Sequence, residues 1–179
     1  MTGIAENYGQ ALYTLAKDES LAGVILQQLT SLDEAFENEP DFLRLLATPN
    51  LAKDARVGIV DNSFREKVHP YVLNFLKILT EKGYARYFRD CVKVYKQHYN
   101  EDNGIISVSA VTAVALSDLQ QEKLQQKLES VIGKKVELLF RVDPACLGGV
   151  RLDYDGKRID GTVLNRLDNM RQMLKNAIL

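Results

Sequence analysis

The sequence lacks an excess of either charge. Its 23 Lys and Arg face 24 Asp and Glu, leaving a net charge of −1. Nucleic-acid binders usually concentrate a basic excess on one face, so this balance argues against DNA or RNA as partner. Cysteine is scarce, with only Cys91 and Cys146. Two cysteines so far apart make no disulfide framework and read as small buried hydrophobes in a reducing compartment. Long apolar runs are missing too: stretches such as Val111 to Leu116 fall far short of the ~20 residues that span a bilayer. Met1 to Gln10 carries no basic region followed by an apolar core, so no signal peptide is expected. Met1 directly precedes the first helix, which favours a bacterial chain over an organellar precursor. Direct membrane insertion is not expected, and any tie to a membrane would run through another protein.

Sites of chemistry are equally sparse. His69 and His98 lie in different segments, and no His-Glu-x-x-His or Cys-x-x-Cys spacing exists to hold zinc. Gly148-Gly149 is followed by a strand pattern, not by the Lys-Ser/Thr and helix of a phosphate loop, and reads as a bulge or a close backbone approach. Asp153, Asp155 and Asp160 cluster near a turn but lack calcium-loop spacing. Asp155 suits a turn, and Asp160 suits a cap before the last helix. No nucleophile elbow is present. The sequence therefore nominates no catalytic, cofactor-binding or metal-binding residue, and no cofactor.

What the chain does have is helical periodicity. Ile4, Tyr8, Ala11, Leu12 and Leu15 share one face, as do Ile25, Leu29, Leu32 and Phe36 in a second segment. Pro40 opens a short third helix holding Phe42, Leu43, Leu45 and Leu46, which Thr48-Pro49 stops. Val57, Val60 and Phe64 mark a fourth. Pro70 opens a fifth, with Val72, Phe75, Leu76, Ile78 and Leu79, ending at Gly83 as a positive-φ cap. Tyr84, Phe88, Cys91, Val92, Tyr95 and Tyr99 stripe a sixth. Six short helices with short connections predict a compact antiparallel bundle over residues 1–104.

At Asn100-Glu101-Asp102-Asn103-Gly104 a polar run predicts the end of the bundle and a linker. The period then changes. Ile106, Val108 and Ala110 alternate as a strand. Leu116-Ser117-Asp118 with Gln120 resembles a capped helix start, and Leu124, Leu128, Val131 and Ile132 carry that helix to Gly133. Val136, Leu138, Phe140 and Val142 form a second strand, and Val150, Leu152 and Tyr154 a third. Asp155-Gly156 turns the chain toward Ile159 on a return strand. Val163, Leu167, Met170, Leu174 and Ile178 line a last helix. Residues 105–179 thus form a small β-α-β-β-β-α domain, its sheet covered by two helices, and the fold class is an all-α domain followed by α+β.

With no chemistry to place, surface must carry the function. The apolar sets Tyr8, Ala11, Leu12, Tyr13, Leu15 and Phe75, Leu76, Ile78, Leu79 are wider than the single face a bundle helix buries. Either both helices are central to the bundle, or they flank a groove for another chain's amphipathic helix. Periodicity leaves both open.

Three segments carry a family likeness. They are Ile4-Ala5-Glu6-Asn7-Tyr8-Gly9-Gln10-Ala11-Leu12-Tyr13, Asn74-Phe75-Leu76-Lys77-Ile78-Leu79-Thr80-Glu81-Lys82-Gly83, and Val142-Asp143-Pro144-Ala145-Cys146-Leu147-Gly148-Gly149-Val150 with Ile159-Asp160-Gly161-Thr162-Val163 and Leu167. In order and spacing they resemble the delta subunit of F-type ATP synthases, which corresponds to the mitochondrial oligomycin sensitivity conferral protein. Thr162 stands where the family often has Ser, and Tyr84 where a basic residue is common. The resemblance implies a non-catalytic stator subunit. Its N-terminal domain would bind the N-terminal helix of an alpha subunit between the first and fifth helices, at Tyr8, Ala11, Leu12, Phe75, Ile78 and Leu79. Its C-terminal domain would hold the C-terminal ends of the b subunits of the peripheral stalk, with Gly148, Gly149, Asp160 and Gly161 as structural turns. The implied place is the cytoplasmic face of a bacterial inner membrane, or the stromal side of a thylakoid. The rival readings are a generic helical adaptor or regulatory binding protein, and an enzyme using Asp143, Asp153 or Asp160 between its domains.

Overall fold

A computed structural model describes residues 3–48, 51–154 and 156–167 of the chain. The chain separates into two compact units, Met1–Tyr99 and Asn100–Leu179.

The first unit is helical: α1 (Gly3–Asp18), α2 (Ala22–Asn38), α3 (Pro40–Ala47), α4 (Lys53–Phe64), α5 (Pro70–Glu81) and α6 (Phe88–Asp102), with a 3₁₀ turn at Ala85–Tyr87. Pro40 and Pro70 occupy first-turn positions, where a missing N–H costs nothing. The His69 ring caps α5 by accepting from the Tyr71 N–H at 3.3 Å through Nδ1. Gly83, at φ +72°, follows the end of α5 in the left-handed conformation that favours glycine. The expected sixth helix starts later than its apolar stripe: Tyr84 precedes the 3₁₀ turn, and the α-helix begins at Phe88. Pro49, expected to stop α3, lies outside the described residues; Ala47 ends that helix, and the Thr48 hydroxyl donates back to the Arg44 carbonyl at 2.8 Å.

Large side chains from α2 to α6 fill one core, with Ile25, Leu29, Leu46, Val60, Val72, Leu79, Phe88 and Tyr95 buried. Phe36 joins its corner, with ring centroids 5.5 Å from Phe42, 6.0 Å from Phe64 and 5.1 Å from Phe88. The Tyr95 hydroxyl donates to the Ala22 carbonyl at 2.9 Å, which satisfies a polar tip inside the core.

Helix α1 meets that core on a different face from the expected one. Ala5, Gly9, Leu12, Tyr13 and Ala16 are buried, whereas Ile4 and Tyr8 are half-buried and Ala11 and Leu15 exposed. The cause is close approach. A Cβ on Gly9 would stand 2.7 Å from the Cys91 carbonyl oxygen and 2.8 Å from the Val94 Cβ. Small residues let α1 lie against α6, and this outweighs the greater hydrophobicity of the neighbouring stripe.

The second unit contains β1 (Ile105–Thr112), α7 (Asp118–Ile132), β2 (Lys135–Val142), a 3₁₀ turn at Pro144–Cys146, β3 (Val150–Tyr154) and β4 (Lys157–Asp160). The strand order is β2-β1-β3-β4. β1 and β2 run parallel across the α7 crossover; β3 is antiparallel to β1, and β4 to β3. The expected linker is nearly absent, since α6 runs to Asp102 and β1 starts at Ile105 after Gly104 at φ +63°. Asn100, although polar, is buried and donates through Nδ2 to Ser107 Oγ (3.1 Å) and Glu137 Oε2 (3.0 Å), so it builds the sheet unit. Gln120 reaches back to accept from the Ser117 N–H at 2.9 Å, completing the capping box that opens α7, and Gly133 at φ +72° ends it.

Val108, Ala110, Val136 and Leu152 form the small core, on which Leu124, Leu128 and Ile132 of α7 pack. Phe140 and Val142, expected to alternate inward with Val136 and Leu138, are exposed because that core does not extend to them. Of the predicted last helix, residues 163–167 are helical. Met170, Leu174 and Ile178 lie outside the described residues, as does Asp155 of the β3–β4 turn.

Candidate functional site

The six residues nominated for partner binding divide into two sets. Leu12, Phe75 and Leu79 are buried and help build the helical core. Tyr8 and Ile78 are half-buried and Ala11 is exposed. On α1, Ile4, Tyr8, Ala11 and Leu15 fall at intervals of three and four residues, one apolar stripe beside the buried face. Leu15 is 43% exposed. On α5, Ile78 and Tyr71 flank the core face in the same half-buried state.

Tyr84 connects the two helices. It follows α5, and its ring meets that of Tyr8 edge-on with centroids 6.0 Å apart; Tyr87 extends the group at 6.2 Å from Tyr84. The sequence pattern places Tyr84 on the stripe of the sixth helix, Ile4 on the periodic face of the first, and Leu15 in its wide apolar set, but assigns none of the three to the partner site. The signal for all three was present, but nothing in the sequence said which face α1 would turn inward.

Charges brace the unit elsewhere. Asp61 on α4 is paired with Lys77 of α5 and with Arg65, and these partners, Lys77 foremost, hold its carboxyl below the usual carboxylate range. Glu81 is lowered likewise by Lys53 at 2.6 Å. Arg89 of α6 reaches Asp33 at 3.0 Å and Glu37 at 3.5 Å on α2. Burial, with the nearby Asp90 carboxylate, pushes the Cys91 thiol up to about 11, so it stays a protonated core group.

In the sheet unit the four turn residues come together. A Cβ on Gly149, which has φ +78°, would stand 2.4 Å from the Gly161 carbonyl oxygen. The Gly161 N–H donates to the Val150 carbonyl at 3.0 Å, and the Val163 N–H to the Gly148 carbonyl at 3.0 Å. Asp160 Oδ1 accepts from the Thr162 hydroxyl at 2.6 Å and the Thr162 N–H at 3.0 Å, and these bonds lower its pKa. Thr162 in turn accepts from the Asn165 N–H at 3.2 Å, so the cap of the last helix is Thr162, steadied by Asp160.

The three aspartates of the enzyme reading are each engaged locally. Asp143 accepts from the Ala145 N–H at 3.0 Å, Asp153 pairs with Arg158 at 2.6 Å, and Asp160 holds Thr162. Among the described residues, no group of three His, Cys, Asp or Glu could hold a metal, and no helix is long and apolar enough to cross a membrane.

The sequence profile of the ATP synthase delta (OSCP) subunit family matches residues 4–174. The chain belongs to this family. It is 33% identical over 176 residues to the ATP synthase subunit delta of Alkaliphilus oremlandii, covering 98% of both chains. It is 32% identical to that of Clostridioides difficile, covering 98% of this chain and 97% of the relative. Its fold matches a chain of the Toxoplasma gondii mitochondrial ATP synthase hexamer with a TM-score of 0.77 at 18% identity, over 97% of this chain and 98% of that one. As a delta (OSCP) subunit the chain is a non-catalytic stator component of the ATP synthase peripheral stalk.

Proposed function

We propose that the chain couples the catalytic head of a bacterial F-type ATP synthase to its peripheral stalk. The helical unit, as a six-helix bundle, grips the N-terminal helix of an alpha subunit. The unit from Asn100 onward holds the C-terminal ends of the b subunits, on the cytoplasmic face of the inner membrane. A rotor turning inside the head drags the head with it, so the connector must hold both sides without slipping while proton flow drives synthesis. Buried apolar anchors suit that demand, since a few of them dominate affinity and salt screens them little.

The observation that carries this reading is the α1 stripe. Ile4, Tyr8, Ala11 and Leu15 are apolar at helical spacing, and none is fully buried: Ile4 and Tyr8 are half-buried, Tyr8 packing against the core, and Ala11 and Leu15 are exposed. With Tyr84 on Tyr8 and Ile78 on the flank of α5, they offer one side of an amphipathic-helix site. Leu12, Phe75 and Leu79 support that surface from beneath.

Isothermal titration of the full chain with an alpha-subunit N-terminal peptide tests it. One-to-one binding is expected, weakened at least about tenfold by Tyr8→Ala or Ile78→Asp, roughly 1.4 kcal/mol or more. Unchanged affinity in both variants, with circular dichroism unchanged, would exclude this surface. Absence of binding by a folded chain would favour a general adaptor, and the b-subunit end would be titrated next.

A further inference from the structure

Strand β2 lies at one edge of the sheet, and two observations fix which way its backbone points. The Asp143 N–H donates to the Thr112 carbonyl of β1 at 2.8 Å. Val136, of the opposite parity, donates its N–H to Glu129 Oε1 of α7 at 3.1 Å and accepts from Gln125 Nε2 at 2.9 Å. Backbone groups alternate sides along a strand, so Leu138, Phe140 and Val142 present theirs away from β1. Beyond Val136 nothing among the described residues bonds them.

That open edge is also apolar. Leu139 is 51%, Phe140 37% and Val142 50% exposed. The opposite edge is protected in the usual way: β4 has four residues, two of them Lys157 and Arg158. Among the described residues the outward backbone groups of Leu138, Phe140 and Val142 have no partner, and together with this apolar surface they suit pairing with another strand.

The sequence indicates which. Lys135-Val136-Glu137-Leu138-Leu139-Phe140-Arg141-Val142-Asp143 is its own complement when read antiparallel about Leu139. Lys135 falls opposite Asp143, Glu137 opposite Arg141, Val136 opposite Val142, Leu138 opposite Phe140, and Leu139 opposite itself. Opposite charges facing across an antiparallel pair are favourable and like charges are not. This register also places Leu138 and Phe140, with their outward backbone groups, as hydrogen-bonded pairs. Glu137 already takes Asn100 and Ser107 through Oε2, but a carboxylate has about four acceptor sites and can take an arginine too.

We propose that the open edge of β2 pairs antiparallel with the same edge of a second copy of this chain, about a two-fold axis at Leu139. This goes beyond the stator reading and concerns the chain outside its assembly. The Gln125 and Glu129 side chains occupy Val136 and limit the ladder to the Leu138–Phe140 centre. Each chain has one such edge, so pairing closes at a dimer instead of propagating.

Two measurements on the full chain test it. In sedimentation equilibrium the mass should rise from 20.2 kDa toward twice that value between micromolar and millimolar concentration. Phe140→Pro removes an outward N–H at a tolerated edge position and should stay monomeric with unchanged circular dichroism. In the second measurement, Leu139→Cys places two thiols across a non-hydrogen-bonded pair, ~4.5 Å between Cα atoms and within disulfide range. The native Cys91 and Cys146 are buried and do not compete. Leu139→Cys should form a covalent dimer at least about tenfold faster than the exposed α7 control Ser130→Cys, because only the former lies on the axis. A mass of 20.2 kDa at every concentration, equal cross-linking rates, or a dimer indifferent to Phe140→Pro would each overturn the proposal. Should Phe140→Pro misfold, the cross-linking pair decides alone.

Discussion

The two units use apolar side chains differently. In the helical unit Leu15, Val24 and Leu45 are the large apolar side chains left exposed among the described residues. The sheet unit leaves Val114, Leu119, Val131, Leu139, Leu147 and Ile159 more than half exposed around a core of Val108, Ala110, Val136 and Leu152. A core so small removes little apolar surface from water, at roughly 25 cal/mol per Å². The helical unit is thus stabilised mainly by its own packing. The sheet unit relies more on tight turns, caps and backbone fit, and has apolar surface to spare for partners.

Truncating one side chain in each unit tests this contrast most strongly. Phe88→Ala removes a fully buried ring that touches Phe36 and Phe75, and should cost about 3–5 kcal/mol in urea unfolding followed by circular dichroism. Val131→Ala, on the exposed face of α7, should stay within about 0.5 kcal/mol of the parent. A large loss at Val131 would mean that the sheet unit hides a core in this surface.

Glycine replacements come next. Gly149→Ala must push a Cβ into the Gly161 carbonyl from a left-handed backbone, and Gly9→Ala must push one into α6. Each should cost about 1–3 kcal/mol, Gly149 at the upper end because φ strain adds to the clash. A neutral Gly149→Ala would show that backbone fit does not hold the sheet unit together. Tyr95→Phe should cost less, about 0.5–1.5 kcal/mol, by removing the core hydroxyl's bond to the half-buried Ala22 carbonyl.

The smallest effect is at acid pH and has one representative in each unit. Asp61, through Lys77 and Arg65, and Asp160, through Thr162, have folded pKa values below the ordinary aspartate value. Their contribution is therefore complete above that ordinary value and disappears as pH falls through it toward the folded one. Asp61→Asn and Asp160→Asn should flatten the acid side of the stability profile, each in its own unit. An unchanged slope in both variants would remove these carboxylates from the account of acid unfolding.

Much of the fold was legible because its signals are local. Pro40 and Pro70 opened helices, Gly83 and Gly133 closed them, Ser117 with Gln120 formed the capping box, and the change of period marked β1. The candidate site was less legible. Ile4, Tyr8, Ala11 and Leu15 do share a face, but periodicity cannot say whether the core or a partner takes it. Asn100 to Gly104 looked like a linker because polar residues usually face water, and the sheet hydrogen bonds of Asn100 could not be inferred without its distant partners Ser107 and Glu137.

The sequence alone determined the helices, the strands, the ends marked by proline, glycine or a capping box, and the family, because caps, turns and side-chain periods act over a few residues. Tertiary structure decided which face of α1 was spent on the core and which backbone edge of β2 faces away from β1. Both depend on how closely chain segments distant in sequence approach one another. Gly9 against Cys91 and Val136 between Gln125 and Glu129 are contacts that no local pattern encodes.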